Sequence, residues 1–350
     1  MAMKKVFFTP GPAEIFFTYP DHFRTALKEQ IGSISHRGKD FEAIFKNTTS
    51  QIKELLNLPS SFHVAFTTSA TEIWERTAQN LIQEKSHHFV HGAFGKKFCQ
   101  VAQNWGKDTE MTQIEEEFVP QKSDADLIAM TMNETSTGFQ HHTDDLKTMR
   151  ELNPDALISL DVVSAVPGAD VDFNQVDSAF LSVQKCFGMP AGLGVWMVNN
   201  RALEVAQRID SKSYHSLPSL IKYAAKNQTP STPNVLGIYL LGKIAEDINR
   251  RGIKAIQAEI KYKAALLYQT LENHPKFSIS IASKKQRSKT TIVANCEGGN
   301  TEVLAFLEKK GMILGEGYSD QKDRQIRIAN FPVHSKEQVE LLCDTLDKFT

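Results

Sequence analysis

A chain of 350 residues, of which 41% are hydrophobic and 23% charged, has the composition of a globular protein with room for two cores, which excludes disorder as its default state. Its 40 Lys and Arg residues nearly balance 41 Asp and Glu residues, so a formal net charge of -1 provides no overall field for nucleic acid or an anionic membrane. The four cysteines form no C-x-x-C pair, which argues against a zinc site or a disulfide framework, and no metal is expected. The first apolar run ends by Pro10, too early for a signal peptide, and no run reaches transmembrane length; we expect a cytoplasmic protein without membrane or nucleic-acid partners.

The first 56 residues contain two predicted loops. Residues 8–13 hold two prolines and a glycine, so this stretch is predicted to be a structured loop and not a helix interior. Helical patterns follow at 21–29 and at 41–56. Between them, His36, Arg37 and Lys39 bring three cationic donors into one loop, which is either a solvated loop or an anion-binding one.

Strand and helix patterns alternate between residues 63 and 161. The predicted strands cover 63–67, 88–91, 126–132 and 156–161, and the predicted helices cover 68–81, 94–105 and 144–152. Such alternation is typical of βαβ units and a parallel sheet, which predicts an α/β domain. In these sheets, ligands bind at the carboxyl ends of the strands.

Polar residues follow the predicted strands at this edge. Residues 69–71 are small and open a helix, whose N-terminus suits an anion, although the spacing to Glu72 is equally typical of simple N-capping. Thr135 and Asp161 follow two further strands. Because the carboxyl ends of neighbouring parallel strands lie together, a shared ligand is expected here.

Lys185 follows an apolar run at 177–183 and precedes a glycine- and proline-rich turn, after which a second apolar run covers 195–198. Burial at the end of a sheet would lower the pKa of its ammonium group and make the amine a nucleophile. The alternative is an exposed turn lysine. Its position beside the other polar groups favours the first interpretation.

The remainder of the chain predicts a second unit. After a break at 228–234, long helices are predicted at 235–251 and 253–273, then strands at 277–282, 290–295 and 324–329 and helices at 300–310 and 335–349. We therefore expect a large domain of residues 16–236 and a small α+β domain of residues 237–350 joined by residues 1–15. Arg327 is a lone cation in an apolar strand, so it either meets an internal carboxylate or awaits an anionic ligand.

Five segments occur in the order and spacing of the class V aminotransferases, which are pyridoxal-phosphate-dependent enzymes of fold type I. They are residues 8–13 (Phe-Thr-Pro-Gly-Pro-Ala), 35–41 (Ser-His-Arg-Gly-Lys-Asp-Phe), 133–138 (Asn-Glu-Thr-Ser-Thr-Gly), Asp161, and 182–194 (Ser-Val-Gln-Lys-Cys-Phe-Gly-Met-Pro-Ala-Gly-Leu-Gly). Within that class the chain most resembles phosphoserine aminotransferases. The resemblance implies a mostly parallel sheet between helices in the large domain, a homodimer with shared active sites, and exchange of an amino group between O-phosphoserine and 2-oxoglutarate in serine biosynthesis.

The resemblance also implies a role for individual residues. Lys185 would hold pyridoxal 5'-phosphate covalently and move the proton at the substrate α-carbon, while Asp161 would pair with the ring nitrogen. The other implied cofactor-binding residues are Ser69, Ala70, Thr71 and Gln184 at the phosphate, Phe94 on the ring face, Thr135 at the ring hydroxyl, and Ser231 and Thr232 from the neighbouring subunit. The implied substrate-binding residues are His36, Arg37 and Arg327, of which Arg327 would take the α-carboxylate.

Four departures from the resemblance leave alternatives open. Phe94 stands where tryptophan is usual and Ser231 where asparagine is usual. Glu72 replaces an arginine and residues 318–323 lack a His-Arg pair, so part of the expected side-chain phosphate site is missing. An alanine– or serine–glyoxylate aminotransferase is therefore the alternative. Two further functions are less expected. One is a cysteine desulfurase-like lyase that uses Cys296, and the other is a non-catalytic protein with the cofactor-binding fold.

Overall fold

A computed structural model describes residues 5–350, which form a mixed α/β fold around two main sheets. The strands are β1 (Val6–Phe8), β2 (Phe62–Thr67), β3 (Lys85–Val90), β4 (Asp108–Gln113), β5 (Leu127–Thr131), β6 (Asn133–Glu134), β7 (Phe139–Gln140), β8 (Leu157–Asp161), β9 (Ser178–Ser182), β10 (Gly194–Asn199), β11 (Phe277–Ile279), β12 (Thr291–Cys296), β13 (Met312–Glu316) and β14 (Gln325–Ala329). The α-helices are α1 (Tyr19–Lys28), α2 (Lys39–Leu55), α3 (Ala70–Asn80), α4 (Ala93–Asn104), α5 (Thr143–Leu152), α6 (Asn200–Ile209), α7 (Leu217–Ala224), α8 (Val235–Arg251), α9 (Ile253–Asn273), α10 (Thr301–Glu308) and α11 (Lys336–Leu346).

The larger sheet has seven strands in the order β2-β10-β9-β8-β5-β3-β4. Only β10 runs antiparallel to its neighbours, so the sheet is mostly parallel and the predicted α/β class is confirmed. Every residue of β5, β8 and β9 is buried. Their sequences are mostly apolar because helices cover both faces of the sheet.

Successive residues along these strands belong to different hydrophobic clusters. In β5, Ile128 packs in a cluster that includes residues of α2 and α8, whereas Leu127 packs in one that includes residues of α3 and α4. The same alternation separates Ile158 from Leu157 in β8. Side chains of a strand point alternately to its two faces, so one sheet divides two cores and fixes the helices on either side.

The smaller sheet has the order β1-β13-β14-β12-β11, and β1 pairs in parallel with β13. Its core includes Leu267 of α9 and Leu342 of α11. The N-terminal strand thus joins the second sheet, although residues 1–4 of the expected segment 1–15 lie outside the described part. The division at residue 236 stays a prediction.

The sequence patterns did not predict β1, β4, β13, α6 or α7. In β4 the residues are mostly polar and exposed, because this strand lies at the edge of its sheet and has no buried face to give it an apolar pattern. The break between α8 and α9 was predicted at Gly252, which has a φ of +83°. Within residues 5–350, no helix combines the length and apolar character needed to cross a membrane.

Candidate active site

A cavity of about 470 Å³ lies at the carboxyl ends of β8 and β9, beside the first turn of α3. The expected cofactor-binding residues on its wall are Ser69, Ala70, Thr71, Phe94, Thr135, Asp161, Gln184 and Lys185. They come from loops that follow different strands of the larger sheet. The structure therefore brings together the polar groups that the sequence places after separate strands.

Lys185 is 7% exposed, and its Nζ donates a hydrogen bond of 2.8 Å to Thr135 Oγ1. The same nitrogen lies 4.9 Å from the centroid of the Phe94 ring. Burial lowers the pKa of the Lys185 ammonium, although the Asp161 carboxyl opposes this shift. The exposed-turn alternative is thus wrong, and the site increases the fraction of the free, nucleophilic amine.

Asp161 ends β8 and is also buried. Burial raises the pKa of its carboxyl to about 6, while a hydrogen bond of 2.9 Å from the Val163 N–H and the charge of Lys185 oppose the rise. A carboxyl with this pKa exchanges a proton near neutrality. Asp161 can therefore share a proton with a basic ring nitrogen placed in the cavity.

Two buried polar atoms on the cavity wall have no hydrogen-bond partner within the described chain, namely Trp74 Nε1 and Asn133 Oδ1. The Trp74 indole approaches Asp161 without reaching hydrogen-bonding geometry. Buried polar groups without partners are rare in folded proteins. Together with the Phe94 ring, they fit a bound molecule that is flat and carries polar atoms at its edge. Trp74 was not predicted, although it lies one turn along the helix that residues 69–71 open.

The first turn of α3 is fixed by hydroxyl groups. Ser69 Oγ accepts a hydrogen bond of 3.1 Å from the Glu72 N–H, which confirms the N-capping alternative for this residue. Ser182, at the end of β9, accepts one of 2.7 Å from the Ala70 N–H. Thr71, the next residue of this turn, also lines the cavity wall. The turn therefore offers hydroxyl groups and the positive end of a helix to an anion. The sequence reasoning missed Ser182, although its hydroxyl ends the strand that leads to Lys185.

Glu72 faces the turn before its own helix. Its Oε2 accepts hydrogen bonds from the Thr68 N–H at 2.8 Å and from Thr68 Oγ1 at 2.6 Å. Its Oε1 lies 3.3 Å from a guanidinium nitrogen of Arg76. These hydrogen bonds and the Arg76 charge hold the pKa of Glu72 below its ordinary value despite its burial. Its charge is thus compensated within the chain, and its repulsion of a bound anion is correspondingly weak.

Arg327 is adjacent to the cavity on the side of the smaller sheet. Its Nε donates to the Glu316 carbonyl at 2.7 Å, and one terminal nitrogen donates to the Thr135 carbonyl at 3.3 Å. Thr135 thus contacts Arg327 through its carbonyl and Lys185 through its hydroxyl. No carboxylate among residues 5–350 lies within 4.0 Å of the Arg327 guanidinium. Of the two interpretations of this lone cation, the structure favours the one in which it awaits an anion.

The other predicted substrate residues lie away from the Lys185 cavity. Arg37 donates hydrogen bonds to the Thr229 carbonyl at 2.6 Å and to the Pro230 carbonyl at 3.0 Å. It thereby connects the loop that contains His36 to the segment that contains Ser231 and Thr232. These two residues line a second cavity, of about 580 Å³, on the other side of the first turn of α3.

Cys296 ends β12, pairs across the sheet with Phe277, and is absent from the wall of the Lys185 cavity. Burial raises the pKa of its thiol to about 11. A thiol in this state is a poor nucleophile at neutral pH. The geometry therefore disfavours a lyase that uses this cysteine.

The family Aminotransferase class-V matches residues 9–322. A solved phosphoserine aminotransferase from Cytophaga hutchinsonii is 43% identical, with a TM-score of 0.96 and 99% of each chain covered. A phosphoserine aminotransferase from a Nocardioides species is 27% identical in an alignment that covers 97% of this chain and 94% of that protein. A solved alanine–glyoxylate aminotransferase from a Nostoc species is 19% identical, with a TM-score of 0.83 and coverage of 99% and 96%, and this likeness shows the fold alone. These findings confirm the resemblance and the fold type predicted from the sequence.

Proposed function

Because this chain belongs to the class V aminotransferases, which are pyridoxal 5'-phosphate enzymes, we propose that it transfers the amino group between O-phosphoserine and 2-oxoglutarate. The products are 3-phosphohydroxypyruvate and glutamate, and the reverse direction serves serine biosynthesis. The observation that carries the proposal is a cation without a carboxylate partner, Arg327, beside the buried amine of Lys185. The likeness to the Cytophaga enzyme over nearly the whole chain supports the choice of a phosphorylated substrate.

The unpartnered polar atoms, the aromatic wall and the helix N-terminus fit pyridoxal phosphate, which supplies an aldehyde and an electron-accepting ring. In this proposal Lys185 would hold the aldehyde group, and its amine, once released, would carry the proton between the substrate α-carbon and the cofactor. Asp161 would pair as a carboxylate with the protonated ring nitrogen, whose positive charge would oppose the burial that raises the pKa of this carboxyl to about 6. Phe94 would lie against one face of the ring and limit access of water.

The phosphate group is assigned to the first turn of α3. Ser69, Ala70 and Thr71 lie at the positive end of this helix, and Gln184 adds an amide from the loop of Lys185. Thr135 is within hydrogen-bonding distance of Lys185 and holds its amine toward the cavity.

The proposal includes a homodimer in which each site uses residues of both subunits. His36, Arg37, Ser231 and Thr232 belong to one connected surface and do not reach the Lys185 cavity of their own chain. Ser231 and Thr232 are exposed in the single chain. A second copy would place this surface over its neighbour's cavity, where Arg37 adds the cation that binds a side-chain phosphate.

The reaction is tested by mixing purified holoenzyme with O-phosphoserine and following the visible absorbance of the lysine-bound cofactor. We expect this absorbance to disappear and to return when 2-oxoglutarate is added. The absorbance change with alanine and with serine is measured at the same concentrations. These amino acids are included because Glu72 stands where phosphoserine enzymes have an arginine, which favours an alanine– or serine–glyoxylate enzyme. A rapid change with these two amino acids and none with O-phosphoserine would establish that alternative.

Shared sites are tested by producing Lys185→Met and Arg37→Met chains together, with different affinity tags, and purifying the mixed dimer. Each variant alone is expected to have little activity on O-phosphoserine. The mixed dimer contains one site with both an intact Lys185 and an intact Arg37, so activity returns toward half of the wild-type value per dimer. A mixed dimer that is no more active than its parents contradicts shared sites.

A further inference from the structure

Lys97 and Tyr318 form a pair at the edge of the Lys185 cavity. Lys97 Nζ donates a hydrogen bond of 2.6 Å to the Tyr318 hydroxyl and lies 5.1 Å from the centroid of the Tyr318 ring. The Tyr318 ring is itself 5.3 Å from the ring of Phe94, which faces Lys185. Lys97 lies three residues after Phe94 in α4, so the helix presents both on one side. The pair therefore extends the aromatic wall of the cavity outward and ends it with a positive charge.

Two cations without carboxylate partners lie close to the Tyr318 ring. The Arg327 guanidinium carbon lies 5.4 Å from the ring centroid, and Lys97 Nζ lies 5.1 Å from the same centroid. Neither cation has a carboxylate within 4.0 Å among the side chains of residues 5–350. A cation without a carboxylate partner is available to pair with an anionic group of a bound ligand. If Arg327 takes the α-carboxylate, Lys97 remains available for a second anionic group.

We propose that Lys97, held in place by Tyr318, binds the second anionic group of the substrate and thereby selects amino acids that are negatively charged at both ends. This inference rests on the proposed function. It assigns to Lys97, acting together with Arg37 of a second copy of the chain, the phosphate of O-phosphoserine and the side-chain carboxylate of glutamate. An ammonium group on a flexible stem suits both anions, because it acts as a point charge with three donors. Tyr318 begins the segment 318–323, in which the His-Arg pair of related enzymes is absent, so Lys97 supplies charge that this segment lacks.

The test compares Lys97→Met with Lys96→Met in the holoenzyme. Lys96 is the preceding exposed residue of α4 and forms no side-chain hydrogen bond or ion pair within residues 5–350, which makes it a matched control. Both variants are assayed for kcat/KM with O-phosphoserine and, in single-turnover experiments, with alanine. The measured quantity is the ratio of the O-phosphoserine value to the alanine value. We expect Lys97→Met to lower this ratio roughly 10- to 100-fold, as for the loss of one charge-assisted contact, mainly through KM, and Lys96→Met to leave it within about twofold. An unchanged ratio in Lys97→Met overturns the inference.

Measurements with glutamate distinguish a failure of this inference from a failure of the proposed function. If the wild-type enzyme does not react with O-phosphoserine, the proposed substrate is wrong, but the ratio of glutamate to alanine still measures selection of a second anion. A selective loss for glutamate in Lys97→Met supports the inference, and an equal loss for both amino acids overturns it. Tyr318→Phe keeps the ring and removes only the hydroxyl, so it is expected to lower the same ratios about two- to fivefold. The inhibition constant of inorganic phosphate against the amino donor should rise in Lys97→Met and remain unchanged in Lys96→Met.

Discussion

Gly11 lies against the side chain of Lys185: a Cβ atom added to this glycine would be 2.9 Å from Lys185 Cε and 3.2 Å from Cγ. Its φ of +131° is also one that side-chain-bearing residues rarely adopt. The loop of residues 9–13 is anchored beside the lysine by a hydrogen bond of 3.0 Å from the Ala13 N–H to the Gln184 carbonyl. The N-terminal loop therefore packs against one side of the Lys185 side chain.

Replacing Gly11 with alanine should impair catalysis by displacing Lys185. The added methyl group meets the lysine stem, and the backbone conformation becomes strained, which together correspond to about 2–4 kcal/mol. We expect a lower kcat and weaker retention of the cofactor, measured by turnover and by absorbance after dialysis. Gly32→Ala is the control, since a Cβ there meets nothing within 4 Å. Equal effects of the two substitutions would contradict a specific contact with Lys185.

Replacing Lys185 with methionine should abolish transamination while preserving the fold. The methionine has a similar length and lacks the amine, so kcat should fall by about 10³-fold or more. Burial disfavours the charged lysine, so the free energy of unfolding should decrease little or even increase. Activity assays and urea unfolding of the same preparation measure both effects. A variant that is unfolded, or one that retains substantial turnover, disagrees with this role.

Replacing Arg327 with lysine should weaken binding of the substrate carboxylate. The planar guanidinium makes two parallel hydrogen bonds to a carboxylate, which an ammonium group does not reproduce. We expect KM for both the amino acid and the oxo acid to rise roughly 10- to 100-fold, with a smaller change in kcat. Arg324→Lys changes an exposed arginine near the start of the same strand and should leave both constants unaltered. A change in kcat alone would place Arg327 in a different step.

Acid should destabilise the protein through its buried histidines. Burial lowers the pKa of His88 to about 3, and the pKa values of His91 and His334 to about 4, from an ordinary value of 6.5. Below about pH 6.5 the unfolded chain binds protons that the folded chain excludes, so the free energy of unfolding falls as the pH decreases toward 4. The contribution of His334 alone is on the order of 2 kcal/mol at pH 5.

Urea unfolding at pH 7.5, 6 and 5 measures this dependence. His334→Gln retains a donor and an acceptor for the Phe7 carbonyl and the Phe331 N–H but does not titrate, so its stability should depend less steeply on pH. His63→Gln, at a partly exposed position, should keep the wild-type slope. If all three proteins show the same slope, the acid sensitivity arises from other groups.

Much of the site was predictable because local chemistry marks it. Polar residues at the ends of neighbouring parallel strands lie at the same edge of the sheet, so the sequence alone predicts that Asp161 and Lys185 are close together. The strands that were missed, such as β4, lie at the edge of a sheet and carry no apolar pattern. The resemblance to class V aminotransferases added the cofactor, which residue patterns alone leave open.

The sequence by itself determined the α/β class and the buried strands and predicted a buried lysine after a strand, because hydrophobic periodicity and strand ends are local properties. Only the tertiary structure decided which distant residues meet. It placed Gly11 against Lys185 and Tyr318 close to both Lys97 and Arg327, and it turned Glu72 toward Thr68 and Arg76. These contacts join segments from different parts of the chain or depend on a side-chain direction, and neither is fixed by the pattern of neighbouring residues.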